Sequence, residues 1–420
     1  SPATHAGQST RHSSPRLAAA PAPMSSASSL APVRALARSP PRPFRRGARR
    51  LARAPRAAAS ADPSPTAASK LEGAAAEAYM ATLAEDLTHL FDDRGIDRSL
   101  YEPTVRFEDP LTKYDDIEGY LFNIAMLRRV FDPTYTMHAI ALTGDWEVST
   151  RWTMDMSLPL PWRPSLTFTG TSVMGIDPAT MRVATHFDTW DAISTQGFFL
   201  ETKSPEAVAE VLRQVFDLTV QPDLETPEYV VLRRYAEYEI RRYPDVVVAE
   251  TKTGGESGVS EGKRLAAGGM TGGGGGGDGS FNPFGALAGY IFGGNAEEKK
   301  MEMTTPVFTS DDGKMQFVMG RALGDDPSAL PAPNDGERVG LGIRTGGVFA
   351  AVRFNGVATD ASAAEAERRL SERLARDGHA RKPGAPASLA QYNDPLTNPI
   401  RRRNDVLVEI EGFDNARLDL

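Results

Sequence analysis

"GYIFGGNAEEKKMEMTTPVF", Gly289–Phe308, is the stretch on which the reading of the fold turns. An apolar run stops at Gly293-Gly294-Asn295, a charged hinge follows, and Met301-Glu302-Met303-Thr304-Thr305-Pro306 leads into Val307-Phe308. Just upstream, Phe284, Leu287, Ala288 and Ile291 recur at three- and four-residue spacing between Pro283 and Phe292, which is one face of a helix. Glycine and asparagine after the last periodic residue form a stop signal. Pro306 has no N–H for a β-ladder, so it belongs at a strand edge or bulge, with the Thr304 and Thr305 hydroxyls able to cap the break. Helix, stop and strand therefore follow one another within this stretch.

Working outward, the pattern occurs twice. "VVVAETK", the Pro283–Phe292 helix, "KMEMTTPVFTS" and "KMQFVMG" have an echo in "GGVFAAVRFNG", "SAAEAERRLSERLARDG", "SLAQYNDPLTNP" and "NDVLVEIEG". A strand-helix-strand-strand unit used twice predicts a small barrel-like sheet carrying two helices. Tyr229 opens this region with "YVVLRRYAEYEIRRYPDVVVAETKT", read as two short strands around Ala236-Glu237. Residues 254–280 are a Gly-rich insert containing six consecutive glycines before Asp278. No Gly-Lys-Ser/Thr follows them, so the insert reads as a disordered surface loop and not as a phosphate cradle.

The first half has a different rhythm. Lys70 to Arg94 places Ala76, Tyr79, Met80, Leu83, Leu87, Leu90 and Phe91 on one helical face closed by Gly95. A short strand ending at Asp109-Pro110 and a helix over about Ile117–Phe131 follow. After Asp132-Pro133 the period becomes alternating, predicting three or four long strands with turns at Gly144-Asp145, Pro159–Pro164 and Asp177-Pro178. Two helices on a curled antiparallel sheet make a one-sided cone with a pocket inside. This order, with "FEDP" early and "THFDTWD" at the end, resembles the NTF2-like fold over residues 70–200, and more narrowly an uncharacterised domain of plant and algal plastid proteins. Residues 201–225 form a connector with the helix "SPEAVAEVLRQVFDL". The fold class is α+β.

The net charge of −8 conceals a split, because residues 1–61 hold eleven Arg and no Asp or Glu. Of the chain's 47 basic and 55 acidic groups the remainder keeps 36 and 55, a balance of −19. An Arg-, Ser- and Ala-rich, acid-poor start predicts a disordered transit peptide and linker over residues 1–69. The missing initiator Met reads as a trimmed start or as a few absent residues, and the Ala/Pro/Arg bias as a GC-rich, green-algal type of genome with a plastid destination. An acidic body argues against non-specific nucleic-acid binding. With no cysteine, disulfides, iron–sulfur clusters, thiolate-ligated haem and Cys-type zinc sites are excluded. No run of 18 apolar residues occurs, so no transmembrane helix is expected.

"YEIRRYPDVVVAET", "AGYIFGGN", "EKKMEMTTPVF", "MQFVM" and "YNDPLTNPIRRRNDVLVEI", in this order, resemble the SOUL haem-binding protein family over residues 226–420. The resemblance implies a non-enzymatic protein that holds b-type haem or another tetrapyrrole reversibly in an apolar cleft. An NTF2-like domain ahead of it is similar to a plastid-targeted plant and algal subgroup, implying the chloroplast, in stroma or at plastoglobules and thylakoids. Such a ligand needs an apolar slot for the ring and cations for its propionates. Phe284, Leu287, Ala288 and Ile291 are the candidates for the slot, and Lys263, Arg264, Lys299 and Lys300 for the cations. The histidine assigned as ligand in some members has no counterpart here, and His379 falls in a polar turn that reads as surface. Tyr290 is then the candidate axial ligand, with Met301 and Met303 also chemically able; iron held without ligation and a metal-free tetrapyrrole stay open. A plastid haem-metabolism protein is the partner implied. The alternative is a structural protein of plastid membranes or lipid bodies, peripherally associated, with weak or no haem binding.

No catalytic residue is assigned. In "THFDTWD", His186, Asp188 and Trp190 share one side of a strand, and a His–Asp pair on a concave face is the pattern of a base with its orienter. Asp109 before Pro110 reads as a strand terminator.

Overall fold

The structure, a computed structural model, describes residues 70–193, 205–253 and 282–415. The expectations for residues 1–69, for the 254–280 insert, and for Lys263 and Arg264 lie outside the described residues.

The N-terminal part is built from α1 (Gly73–Thr88), β1 (Tyr101–Glu108), β2 (Lys113–Tyr114), α2 (Ile117–Phe131), β3 (Thr134–Gly144), β4 (Glu147–Ser157), β5 (Ser165–Asp177) and β6 (Arg182–Trp190). The Asp116 carboxylate accepts from the Gly119 N–H to start α2, and Asp132 ends it in the left-handed region at φ 45°. Ile117, Tyr120, Asn123 and Ile124 point inward from α2, as the three- and four-residue spacing requires. The sheet runs β2-β1-β6-β5-β4-β3, with both helices over its concave face. β1 pairs with β6 in parallel while the other neighbours are antiparallel, so the cone is a mixed sheet and not the wholly antiparallel one expected.

Helix α3 (Pro205–Val215) lies on β5, where the Gln214 side chain accepts from the Thr167 N–H at 2.7 Å and donates to the Thr167 carbonyl at 3.1 Å. Three strands follow: β7 (Val230–Arg234) and β8 (Glu239–Tyr243) on either side of Ala236-Glu237, and β9 (Val246–Lys252), the "VVVAETK" strand. Pro244 marks the break between β8 and β9, since it cannot continue a ladder as a donor.

The C-terminal part continues with α4 (Pro283–Ile291), β10 (Val307–Ser310), β11 (Lys314–Val318), β12 (Gly340–Arg344), β13 (Gly347–Phe354), α5 (Asp360–Arg376), β14 (Ala380–Arg381), β15 (Ser388–Gln391) and β16 (Asn404–Glu411). Its curled antiparallel sheet runs β12-β9-β11-β10-β15-β16-β13-β8-β7, with β14 beside β16. The order makes the duplication visible: β9-α4-β10-β11 and β13-α5-β15-β16 meet at the β10–β15 pair, and in each the third strand lies between the other two. β12, which precedes the second copy, flanks the first, and β8, which precedes the first, flanks the second. Each helix closes its own core. Leu287, Tyr290 and Ile291 of α4 pack with Val247, Met315 and Phe317, while Leu370 and Leu374 of α5 pack with Ile240, Val406 and Val408.

Candidate functional site

Helix α4 ends as its sequence directs. The Gly294 N–H donates to the Gly289 carbonyl at 2.8 Å, and a Cβ at Gly294 would lie 2.7 Å from that same oxygen, so only glycine fits. Asn295, 1 % exposed, then ties the hinge: its Nδ2 donates to the Tyr290 and Lys299 carbonyls, and its Oδ1 accepts from the Glu297 and Lys299 N–H groups. The Gly-Gly-Asn step therefore turns the chain back along the helix and sets Lys300 across from Phe292.

The apolar face of α4 divides in two. Leu287 and Ile291, 0 % and 1 % exposed, hold the helix on β9 and β11 and have no surface left for a ring. Phe284 and Ala288 are half-buried, with Phe284 edge-on to Phe317 at 5.2 Å. Phe292, one turn on, is 59 % exposed. Lys299 and Lys300 are exposed at the same end. The Tyr290 hydroxyl donates to the Pro331 carbonyl at 2.8 Å and is buried, making it a strut between α4 and the loop from β11 to β12. Met301 is buried and Met303 half-buried against the same core.

The Thr-Thr-Pro step serves the sheet. Thr305-Pro306 is a cis peptide immediately before β10, the Thr304 hydroxyl donates to the Val318 carbonyl at 2.6 Å, and the Thr305 hydroxyl to the Tyr392 carbonyl at 2.8 Å. Both hydroxyls thereby satisfy carbonyls beyond the ladder.

The cone encloses a second concave site. His186 and Asp188 both face it, and their side chains meet: His186 Nε2 lies 3.0 Å from Asp188 Oδ1. Asp188 Oδ1 also accepts from the Ser172 hydroxyl at 2.6 Å, whose oxygen accepts from Trp152 Nε1 at 2.9 Å. With Nε2–H donating to Asp188, His186 Nδ1 accepts the Tyr120 hydroxyl at 3.2 Å. Gly170 makes room for Trp152, since a Cβ there would fall 2.6 Å from the indole ring. The parallel register pairing Phe107 with His186 and Glu108 with Phe187 brings Asp109 beside Asp188. The Asp109 carboxylate accepts from the Leu111 and Thr112 N–H groups and the Thr112 hydroxyl, fixing the turn after β1. Burial pushes its pKa up to about 6, and the Asp188 charge adds to the shift against those hydrogen bonds. Among the described residues no cluster of three or more His, Cys, Asp or Glu is arranged to hold a metal.

Comparison with known proteins places both halves. The model of the SOUL heme-binding protein family matches residues 224–409. The second half of the chain is a SOUL domain. Residues 77–186, which form most of the helix-lined cone, match an uncharacterized conserved protein family, DUF2358. Solved structures similar to part of the chain include TsrD from Streptomyces laurentii, at 20 % identity over 27 % of this chain and 89 % of that one with a TM-score of 0.24. An NTF2-like protein of unknown function from an Exiguobacterium species matches at 18 % identity, covering 27 % and 99 %, with a TM-score of 0.22. A protein described as a SnoaL-like polyketide cyclase, from Shewanella denitrificans, matches at 18 % identity, covering 28 % and 87 %, with a TM-score of 0.22. No curated protein matches the chain.

The SOUL domain holds two features that sequence reading did not reach. Asp405, fully buried on β16, accepts from Arg241 Nη1 and Arg403 Nη2, each at 2.7 Å, and Arg353 Nε lies 3.6 Å away. Burial works against the charge, but the Arg403, Arg241 and Arg353 guanidiniums together hold this carboxyl far below the usual range. His379 is not a free surface histidine: the Tyr235 hydroxyl lies 2.6 Å from its Nε2, and the rings of Tyr235 and Phe413 meet it edge-on. The turn after α5 packs against the β7–β8 turn, where Tyr235 meets His379 and Tyr238 donates to Asp377, a contact that no local pattern reveals.

Proposed function

We propose that the SOUL domain of this protein is a non-enzymatic, reversible binder of haem or a related tetrapyrrole that buffers or carries it in the plastid. The observation that supports this reading is the SOUL match across residues 224–409, carried by a duplicated half-barrel with helix α4 on one half. The stripe Phe284, Ala288 and Phe292 is the part of α4 that offers apolar surface to a ring, and Lys299 and Lys300 at its end supply cations for propionates. Haem in such a site would be held chiefly through contact with its ring, because the Tyr290 hydroxyl is already committed to the Pro331 carbonyl. The acid-poor, Arg-rich first 61 residues support a plastid destination.

A haemin titration of the full chain tests the reading. A saturable Soret shift at micromolar haem is expected, and its absence overturns it. That outcome would favour the second reading, a structural or interaction protein of plastid membranes or lipid bodies, which the burial of Leu287, Tyr290 and Ile291 supports. No helix among the described residues is long and apolar enough to cross a membrane, so such a protein would associate peripherally through these elements.

A further inference from the structure

The cone has a cavity of about 60 Å³, walled largely by Phe91, Phe107, Tyr120, Tyr135, Trp152 and Trp190. That is room for a few waters or one small organic molecule. Its charged lining has one sign: the Asp109 and Asp188 carboxylates face it, and no Lys or Arg is among the lining residues. Both hydrogen bonds to Asp188 fall on Oδ1, which leaves Oδ2 open as an acceptor. Asn123, only 3 % exposed, lines the same cavity and brings a side-chain amide to it.

We propose that the N-terminal cone binds a small protonated amine with an apolar body. An ammonium group has three donors and no acceptor, which matches the open Asp188 Oδ2 and the Asn123 Oδ1. Aromatic faces attract the same charge through their quadrupoles, most strongly where water is excluded. A neutral ligand of the same shape would bury the carboxylates without compensation, and an anion would be repelled by them. The cation also offsets the cost of ionising Asp109, which burial and Asp188 hold up to about 6. This site is independent of the haem reading, which concerns the other half of the chain.

Isothermal titration calorimetry on the full chain tests the proposal, with benzylamine and n-butylamine set against benzyl alcohol, and with Trp152 and Trp190 fluorescence as a second signal from the cavity wall. At least one amine is expected to bind tenfold or more tightly than benzyl alcohol and to perturb the fluorescence. Asp188→Asn keeps an acceptor for Ser172 and His186 and is expected to remove that preference with the circular dichroism unchanged. Asn123→Leu is expected to weaken the amine several-fold. Equal or tighter binding of the alcohol, no heat from either amine at 10 mM, or an unchanged preference in a folded Asp188→Asn each overturns the proposal. Should Asp188→Asn fail to fold, the amine-to-alcohol ratio in the unaltered chain still decides.

Discussion

Thr153 on β4 of the cone donates its hydroxyl to the Val231 carbonyl on β7 of the SOUL domain at 2.6 Å. Around that bond the two domains share a polar seam. His138 Nε2 lies 2.8 Å from Thr153 Oγ1, the Arg234 N–H donates to Thr169 Oγ1 at 2.7 Å, and Arg151 pairs with Asp191 while reaching the Leu232 carbonyl at 3.5 Å. Side chains of one sheet thus satisfy backbone groups of the other domain's edge strand, which otherwise would be buried unpaired.

Arg151 is the strongest point of that seam. It is 1 % exposed, so Arg151→Met leaves the Asp191 carboxylate without its main partner and is expected to cost about 3–5 kcal/mol. Thr153→Val is expected to cost about 1–3 kcal/mol by orphaning the Val231 carbonyl. Urea denaturation followed by far-UV circular dichroism and tryptophan fluorescence measures both. The unaltered chain should show coincident transitions, and Arg151→Met should separate them.

Asp405 is expected to be the least replaceable residue of the SOUL half. Asp405→Ala leaves Arg241 and Arg403 buried with their principal anion gone, and should lower stability by about 3–5 kcal/mol in the same experiment. Asp405→Asn keeps hydrogen-bond acceptance but not charge, and should fall between the two.

Two groups of the cone give opposing pH dependences over one window. Asp109 has its folded-state pKa raised to about 6, so its contribution is full below the ordinary carboxylate range and is lost as pH rises through 6, by up to about 3 kcal/mol. His138 is pushed down to about 4 by burial, with the charges of Arg151 and Arg242 adding, so its contribution is present above 6.5 and is lost as pH falls towards 4. The two largely cancel in the unaltered chain. Asp109→Asn removes the first, and its midpoint in thermal melts should fall as pH drops from 6.5 to 4, more steeply than that of the unaltered chain.

The division of the α4 face separates binding from folding. Leu287→Asp places a charge in a fully buried position and is expected to cost at least about 3 kcal/mol, so loss of a Soret shift there would say little about haem. Phe292→Asp changes an exposed ring and should leave the melting temperature within about 2 °C while weakening haemin at least fivefold, as read by Soret titration. An unchanged haemin affinity would remove Phe292 from the site.

The elements were legible because their patterns are local. The spacing of Phe284, Leu287, Ala288 and Ile291, the Gly293-Gly294-Asn295 stop and the alternation through β3 to β6 are each written within a dozen or so residues, and the structure has α4, its turn and those strands where they were read. That His186 and Asp188 share a face was legible for the same reason, since a strand of period two puts both on one side, whereas their direct contact in the cavity was not. One feature went unread: the parallel β1–β6 pairing, which depends on how strands far apart in the chain come together.

The functional surfaces are another matter, because each depends on which element lies opposite. Periodicity marks a broad apolar sector on α4, but only its packing on β9 and β11 buries Leu287 and Ile291 and leaves Phe284, Ala288 and Phe292 at the rim. Nothing local connects Asp405 with Arg241, which are 164 positions apart, or sets Tyr120, Asn123 and Trp152 around His186. Composition and short-range spacing pointed to the α+β class and the doubled half-barrel, since backbone propensity and turn chemistry act between near neighbours, while the SOUL kinship came from the resemblance of five motifs to that family. The aromatic, acidic cavity of the cone, the seam through Thr153 and Val231 and the buried Asp405 arose only on folding, since desolvation and charge pairing depend on distances in space and not along the chain.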